Sequence, residues 1–362
     1  MNNQPEEKKA QALPARKRRS CLGCLGRGAI GSLILLVLVL AAGAIYQAAA
    51  SASDLKKYPS EGQKADIGDH KLNIYCTGEG SPTVILEAGA SSPGVVWGSV
   101  QREIEKSTRV CSYDRAGFGY SDSAEGAPTP QQVASDLRLL LDAAKVPGPY
   151  IMVGHSAGSV YVRAFTSQDP SSVVGMVLVD ASHEGENQRL PPEWVKLNNT
   201  QNSMMAFCRV ISPFGLMRLS HMFDAAVSGI AIDPQVGAAY LATTYQTRFC
   251  RESARETEAL AGTPSQPDIP LSLGDMPLIV LTADTSEAEL QAQIPPYLKS
   301  VVRPEVVAKV FQVNREMQQS LVGLSSQGRQ VMVPNSGHMI QLEQPGVVID
   351  AIHAIVEQLR GG

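Results

Sequence analysis

Short apolar runs typical of strands alternate with helical patterns over most of this chain, and this order restricts the folds that the chain can adopt. The helical pattern is clearest over residues 129–145, where Val133, Leu137 and Leu140 recur at helical spacing, and over residues 345–359. The apolar runs lie at residues 71–76, 82–87, 108–113, 150–153, 173–179, 277–281 and 330–333. This alternation predicts an α/β fold with a doubly wound, mostly parallel sheet that is covered by helices on both faces.

Four residues of catalytic type each follow closely after one of these runs: Ser156, Asp180, Asp284 and His338. In open parallel sheets, ligands and catalytic groups gather at the carboxyl ends of the strands. We therefore expect these four side chains to converge at one edge of the sheet.

The stretch from 181 to 276 interrupts the alternation. It has helical character and contains several large apolar residues, among them Trp194, Phe207 and Met217. We interpret residues 181–276 as a helical cap over the active edge of the sheet, and residues 64–180 and 277–362 as the α/β core.

A second apolar feature lies near the start of the chain. Residues 29–46 carry no charge, and as a helix they would be about 27 Å long, close to the thickness of the hydrocarbon core of a bilayer. The sequence therefore divides into a basic cytoplasmic segment (1–28), a transmembrane helix or signal sequence (29–50) and a polar linker (51–63). The basic residues before the apolar run are Lys8, Lys9, Arg16, Lys17, Arg18, Arg19 and Arg27.

The basic flank predicts a single-pass membrane protein whose N-terminal side is cytoplasmic and whose remaining residues are extracytoplasmic. The alternative is a secreted protein, because small residues such as Ala48, Ala50 and Ala52 offer signal-cleavage sites. Four cysteines follow the apolar run. Cys76 could pair with Cys111, and Cys208 with Cys250, in an oxidising compartment, or all four could be buried thiols.

The sequence Gly154-His155-Ser156-Ala157-Gly158 lies between an apolar run and a helical pattern. A serine hydroxyl becomes a good nucleophile only when a neighbouring base accepts its proton. A sharp strand-to-helix turn would expose the Ser156 oxygen, and glycines on either side would permit such a turn. This context predicts that Ser156 is a nucleophile.

Four motifs in order resemble those of the α/β-hydrolase fold family, over about residue 71 to the C-terminus: "LEAGASS" (86–92), "YDRAGFGYSD" (113–122), "GHSAG" (154–158) and "NSGHMIQLEQP" (335–345). The first is similar to the oxyanion loop of the family, although Ala88-Gly89 stands where many members have His-Gly. The others resemble the Asp-containing turn, the nucleophile elbow and the catalytic-histidine loop. The order serine, acid, histidine also matches.

This resemblance implies that Ser156 is the nucleophile and His338 the general base, with the backbone N–H groups of Ala90 and Ala157 forming the oxyanion hole. Asp284 stands where the family usually places its acid, and we expect it to complete the triad. Asp180 is the alternative acid, because some members carry it one strand earlier.

The expected function is that of a serine hydrolase, an esterase- or lipase-like enzyme that cleaves a carboxylic ester through an acyl-enzyme. The expected partners are a small, apolar ester substrate and the membrane, with no metal or organic cofactor. The formal net charge of −4 gives no indication of nucleic-acid binding. Two alternatives remain: a peptidase or C–C bond hydrolase with the same triad, and a non-catalytic, membrane-tethered binding protein.

Overall fold

The computed structural model describes residues 21–224, 227–228, 232–261, 272–294 and 302–361, and an eight-stranded sheet lies at the centre of these residues. The sheet order is β1-β2-β4-β3-β5-β6-β7-β8; β1 and β2 pair antiparallel, as do β2 and β4, and the other pairs are parallel. The strands are β1 (Gln63–Asp66), β2 (Lys71–Thr77), β3 (Thr83–Glu87), β4 (Val110–Asp114), β5 (Tyr150–His155), β6 (Val173–Val179), β7 (Leu278–Ala283) and β8 (Gly328–Val333). The predicted mostly parallel sheet is confirmed.

Thirteen α-helices are present in the described part of the chain, in addition to short 3₁₀ turns at Gly94–Trp97, Pro170–Ser172 and Ser212–Phe214. The helices are α1 (Cys21–Lys57), α2 (Gly98–Ile104), α3 (Pro130–Ala143), α4 (Gly158–Gln168), α5 (Glu186–Arg189), α6 (Pro192–Ile211), α7 (Leu216–Leu219), α8 (Pro234–Thr244), α9 (Phe249–Ala261), α10 (Glu287–Gln293), α11 (Pro304–Val322), α12 (Ile340–Glu343) and α13 (Pro345–Gly361).

Helices cover both faces of the sheet, as the doubly wound prediction requires. Successive residues of a strand point to opposite faces, so the central strands supply two separate apolar cores. Ile85 and Met152 belong to the core that contains α3 and α4, while Ile151 and Val153 belong to the core that contains α2 and α13. The carboxyl ends of the parallel strands are thereby left at one edge of the sheet, where the loops that follow them meet.

Five helices, α5 to α9, lie between β6 and β7, and we refer to residues 181–276 as the helical insertion. A disulfide between Cys208 and Cys250 joins α6 to α9, and a second one between Cys76 and Cys111 joins β2 to β4. Helices α10 and α11 lie between β7 and β8, and Val307 of α11 packs in an apolar cluster with Trp194 of α6. The division into core and cap remains our interpretation of this arrangement.

The N-terminal helix α1 is longer than the predicted 29–50 segment. Residues 51–57 of the predicted polar linker are helical, because the alanine-rich stretch from 48 to 52 favours helix and contacts with the helical insertion hold the end of α1. An 18-residue window of this helix has a mean hydropathy of 2.6 and none of it is buried. The helix is therefore long and apolar enough to cross a membrane. Residues 1–20, most of the predicted basic segment, lie outside the described residues.

Candidate active site

Ser156 lies in a sharp turn between β5 and α4, and it has the strained backbone φ of 51°. Both flanking glycines are needed for this turn. A Cβ on Gly154 would lie 2.7 Å from the carbonyl oxygen of Gly158, and one on Gly158 would lie 2.6 Å from the carbonyl oxygen of Glu87. The backbone N–H of Ser156 donates to the carbonyl oxygen of Val179 at 3.0 Å. The turn thus has the geometry of a nucleophile elbow.

The imidazole of His338 is paired with the carboxylate of Asp180. Its Nδ1 lies 2.6 Å from Oδ2 of Asp180, a residue that directly follows β6. The other carboxylate oxygen, Oδ1, accepts a hydrogen bond from the backbone N–H of Ala283 at 3.1 Å. Two contacts therefore fix the Asp180 carboxylate, and the Nδ1 side of the His338 ring is held against it.

Asp284, the acid that the sequence favoured, is placed differently. Its backbone N–H donates to Val333 at 3.0 Å, but its carboxylate contacts Nη2 of Arg315 at 3.2 Å and its side chain is 44% exposed. The expected pairing of His338 with Asp284 is thus corrected in favour of the alternative acid, Asp180. The reason is the position of the His338 loop, which brings the imidazole to the end of β6 and not to the end of the adjacent β7.

The acidic surroundings of His338 favour its protonated form. Partial removal of the ring from water disfavours the charge, but the hydrogen bond and negative charge of Asp180, with smaller contributions from Glu186 and Glu343, raise the pKa of His338 above its ordinary value of 6.5. More than half of the side chain is exposed, so a substrate can reach it. The ring can accept a proton and return it, which is the property of a general base and acid.

His155, the residue before Ser156, supports the His338 loop. Burial, together with the nearby His338, lowers the pKa of His155 to about 3, so the ring is neutral. Its Nε2–H donates to the carbonyl oxygen of His338 at 2.8 Å, since a carbonyl can only accept, and the two ring centroids lie 4.7 Å apart. This contact brings the loop that carries His338 to the elbow that carries Ser156.

The loop that follows β3 lies over the elbow. A Cβ on Gly89 would lie 3.2 Å from Cβ of Ser156 and 2.7 Å from Nδ1 of His155, so only glycine fits there. Ala90 packs in the same small apolar cluster as Ala157, which precedes α4. The two residues expected to supply the oxyanion hole thus pack in one cluster at the elbow.

A buried ionic network supports this loop from below. Arg115 donates to the carbonyl oxygens of Ala88 and Gly89, each at 2.7 Å, and to the carboxylates of Glu87 at 2.6 Å and Glu256 at 2.9 Å. Burial raises the pKa of Glu87 to about 7, although Arg115 and a hydrogen bond from Tyr113 oppose this shift. Arg115 stays charged, because Glu256 and Glu87 more than offset the effect of burial and raise its pKa.

Glu256 is a site residue that the sequence did not indicate. It comes from α9 of the helical insertion and is 1% exposed. One carboxylate oxygen accepts from Arg115 and from the hydroxyl of Tyr161 at 2.9 Å, and the other accepts from the backbone N–H of Ser91 at 2.6 Å. The insertion thereby holds the loop that follows β3 in place. Neither His155 nor Glu256 forms part of a local pattern that could have revealed its contact.

Within the described residues, no group of three or more His, Cys, Asp or Glu side chains is arranged to hold a metal ion. The residues at this edge of the sheet bring together a hydroxyl at a sharp turn, an imidazole with a raised pKa, a carboxylate and backbone N–H groups.

The arrangement agrees with what comparisons with known proteins find. The chain is 27% identical over 302 residues to an AB hydrolase superfamily protein of Gibberella zeae. This alignment covers 77% of this chain and 87% of that protein. It is 27% identical over 308 residues to a protein of Hormonema carpetanum named "Probable transporter efuK". This alignment covers 81% of this chain but only 42% of that protein. The chain thus spans less than half the length of that curated relative.

A thermophilic esterase from Thermogutta terrifontis has a similar fold, with a TM-score of 0.57 and 18% identity over 83% of this chain and 99% of the esterase. At this identity the similarity concerns the fold alone. The model of the alpha/beta hydrolase family matches residues 84–351, which span β3 to α13 and contain Ser156, Asp180 and His338. The chain belongs to the alpha/beta hydrolase family.

Proposed function

We propose that this protein is a serine hydrolase that cleaves carboxylic esters through an acyl-enzyme, with Ser156, His338 and Asp180 as its triad. The observation that carries the proposal is the 2.6 Å contact between His338 and Asp180 beside an elbow that holds Ser156 at positive φ. An aspartate at the elbow would support chemistry through an alkyl-enzyme ester, whereas a serine supports acyl transfer.

In the proposed reaction, the hydroxyl of Ser156 attacks the ester carbonyl while His338 accepts its proton, and His338 then protonates the leaving alcohol. Asp180 holds the imidazole through Nδ1 and stabilises the imidazolium. The N–H groups of Ala90 and Ala157 stabilise the oxyanion; one such donor is typically worth ~10²–10³ in rate. Water activated by His338 then releases the acid and restores Ser156.

We also propose that α1 anchors the enzyme in a membrane and is not removed. The side chain of Gln47 is buried and donates to the carbonyl oxygen of Tyr245 at 2.7 Å, and Asp54 pairs with Arg218 at 2.6 Å. Cleavage near residues 48–52 would remove Gln47 from this contact. The basic residues before α1 and the two disulfides after it support an orientation with the hydrolase domain outside the cytoplasm.

A fluorophosphonate probe tests the chemistry, because it labels only an activated serine. The wild type should be labelled and should hydrolyse p-nitrophenyl esters of graded chain length, whereas Ser156→Ala should do neither. Ser171→Ala, which removes an exposed hydroxyl far from the elbow in sequence, serves as the control and should behave like the wild type. A folded wild type that binds esters, but is neither labelled nor active on them, would favour the binding-protein alternative.

A further inference from the structure

The second half of α1 does not stand apart from the rest of the protein; it packs against the helical insertion. At Gly43 the contact is so close that a Cβ would lie 2.5 Å from the carbonyl oxygen of Phe214. Tyr46 also lies close to Gly215, where an added Cβ would be 2.9 Å from the Tyr46 ring. Further along, the ion pair between Asp54 and Arg218 closes the contact. The insertion is thus fixed to α1 at several successive turns of that helix.

The part of the insertion that contacts α1 also exposes several large apolar side chains. Single exposed apolar residues are common on soluble proteins, but these lie within residues 207–222, on either side of the residues that contact α1. We call this set the apolar patch; its members and their exposed fractions are Phe207 (62%), Val210 (58%), Leu216 (46%), Leu219 (60%) and Met222 (46%).

The length of α1 indicates where this patch lies relative to a bilayer. Between the charge of Arg27 and the close contact at Gly43, the apolar helix has about 15 residues, or about 22 Å at 1.5 Å per residue. The hydrocarbon core is about 30 Å thick and requires about 20 residues. If α1 spans the bilayer, its span must therefore reach about Gln47, beyond the turns at which Phe214 and Gly215 are packed.

We infer that the helical insertion is seated on the outer surface of the bilayer, with the apolar patch inserted at the boundary between headgroups and acyl chains. This inference rests on the membrane anchor of the proposed function. The membrane span of α1 includes the helix turns that contact the insertion. Leu216 and Leu219 neighbour these contacts in the insertion, so they lie at the same depth in the bilayer as the end of the span. There, burial among acyl chains removes their apolar surface from water.

The inference is tested on the full chain with a bimane label at Leu219→Cys. Cys21 and Cys24 are replaced by serine, since the other four cysteines are in disulfides. The labelled protein is reconstituted in phosphatidylcholine nanodiscs with or without brominated acyl chains, which quench bimane on contact. Val37→Cys in α1 reports on the membrane span, and Leu139→Cys on α3, 47% exposed, is the matched control on the core.

We expect the brominated lipid to reduce emission from labels at positions 219 and 37 and to leave the label at 139 unchanged. Quenching at 37 without quenching at 219 would overturn the seated insertion while leaving the anchor intact. Absence of quenching at 37 would overturn the anchor, and this inference with it. Equal quenching at 139 and 219 would also overturn it, because contact would then not be specific to the patch. None of these results depends on hydrolase activity, which the fluorophosphonate experiment tests separately.

Discussion

Two aspartates follow adjacent strands at the candidate active site, and only one of them contacts the imidazole. We predict that Asp180→Asn lowers kcat for ester hydrolysis by about 10³–10⁴-fold, because the amide no longer stabilises the imidazolium or selects the correct tautomer. Asp284→Asn should change kcat by less than about tenfold, because the Asp284 carboxylate pairs with the exposed Arg315. Steady-state kinetics with a p-nitrophenyl ester measure both. A large loss in Asp284→Asn with little loss in Asp180→Asn would contradict this assignment.

The charges around His338 lead to a second prediction at the residue scale. A general base must be neutral, so activity should fall as the pH decreases through the pKa of His338, which lies above 6.5. Glu186 helps to raise this pKa. In Glu186→Gln the imidazolium loses a stabilising charge and its pKa falls, so the acidic limb of the kcat/KM profile should move to lower pH.

The matched control for this experiment is Glu193→Gln on α6, an exposed carboxylate with no such effect on His338. Its profile should overlay that of the wild type. A shift of the acidic limb to higher pH in Glu186→Gln, or equal shifts in both variants, would show that Glu186 does not act on the base.

At the scale of whole elements, the side chain of Glu256 joins α9 to the proposed oxyanion loop. Replacing Glu256 by Gln weakens the contact with Arg115 and the hydrogen bond that the backbone N–H of Ser91 donates. The proposed oxyanion loop should therefore be held less firmly and should stabilise the oxyanion less well. We predict a fall in kcat of about 10–10²-fold with little change in KM, smaller than the loss of a whole oxyanion donor. The substitution should also lower the free energy of unfolding, but by less than the about 3–5 kcal/mol expected for a buried charge that loses its partner, because Arg115 keeps its contact with Glu87.

Glu258→Gln is the control for this prediction, because Glu258 lies on the same helix but is exposed. Kinetics and thermal unfolding of the two variants separate the effects. If Glu256→Gln lost stability while the folded fraction kept full kcat, Glu256 would be a purely structural residue and would not position the loop.

The strands and helices could be predicted from the sequence because each carries its own periodicity. Helix α3 was expected at 129–145 and is found at Pro130–Ala143, and Ser156 was located by the strand, turn and helix around it. The acid could not be chosen in the same way, since Asp180 and Asp284 both follow apolar strands. Which one meets His338 depends on the tertiary position of the His338 loop.

Contacts between distant elements are invisible in local patterns for the same reason. Glu256 meets the N–H of Ser91 across 165 residues, and nothing in the helical pattern of α9 distinguishes its buried face from the face of an ordinary amphipathic helix. The end of α1 is likewise not evident from the sequence: residues 51–57 are mostly polar or small, as in a linker, but contacts such as that between Asp54 and Arg218 stabilise them as helix.

In the molecule as a whole, helix α1 and the candidate catalytic site are joined by a continuous series of contacts. Helix α1 contacts the helical insertion at Phe214, and the disulfide between Cys208 and Cys250 links α6 of the insertion to α9. Helix α9 then carries Glu256 to the oxyanion loop. An insertion held at the bilayer surface would therefore be connected directly to the loop that is proposed to stabilise the oxyanion.

Two glycines of α1 allow this connection to be tested with the same substitution. Gly43→Ala places a methyl group 2.5 Å from the carbonyl oxygen of Phe214, a backbone atom that cannot move alone, so α1 must separate from the insertion. Such overpacking costs about 1–3 kcal/mol. Thermal unfolding in detergent micelles should show this loss, and hydrogen exchange should become faster in residues 207–222. Gly31→Ala is the control, because its methyl group meets no atom within 4 Å. Equal effects of the two substitutions would contradict the close packing of α1 on the insertion, since both add the same methyl group to the same apolar helix.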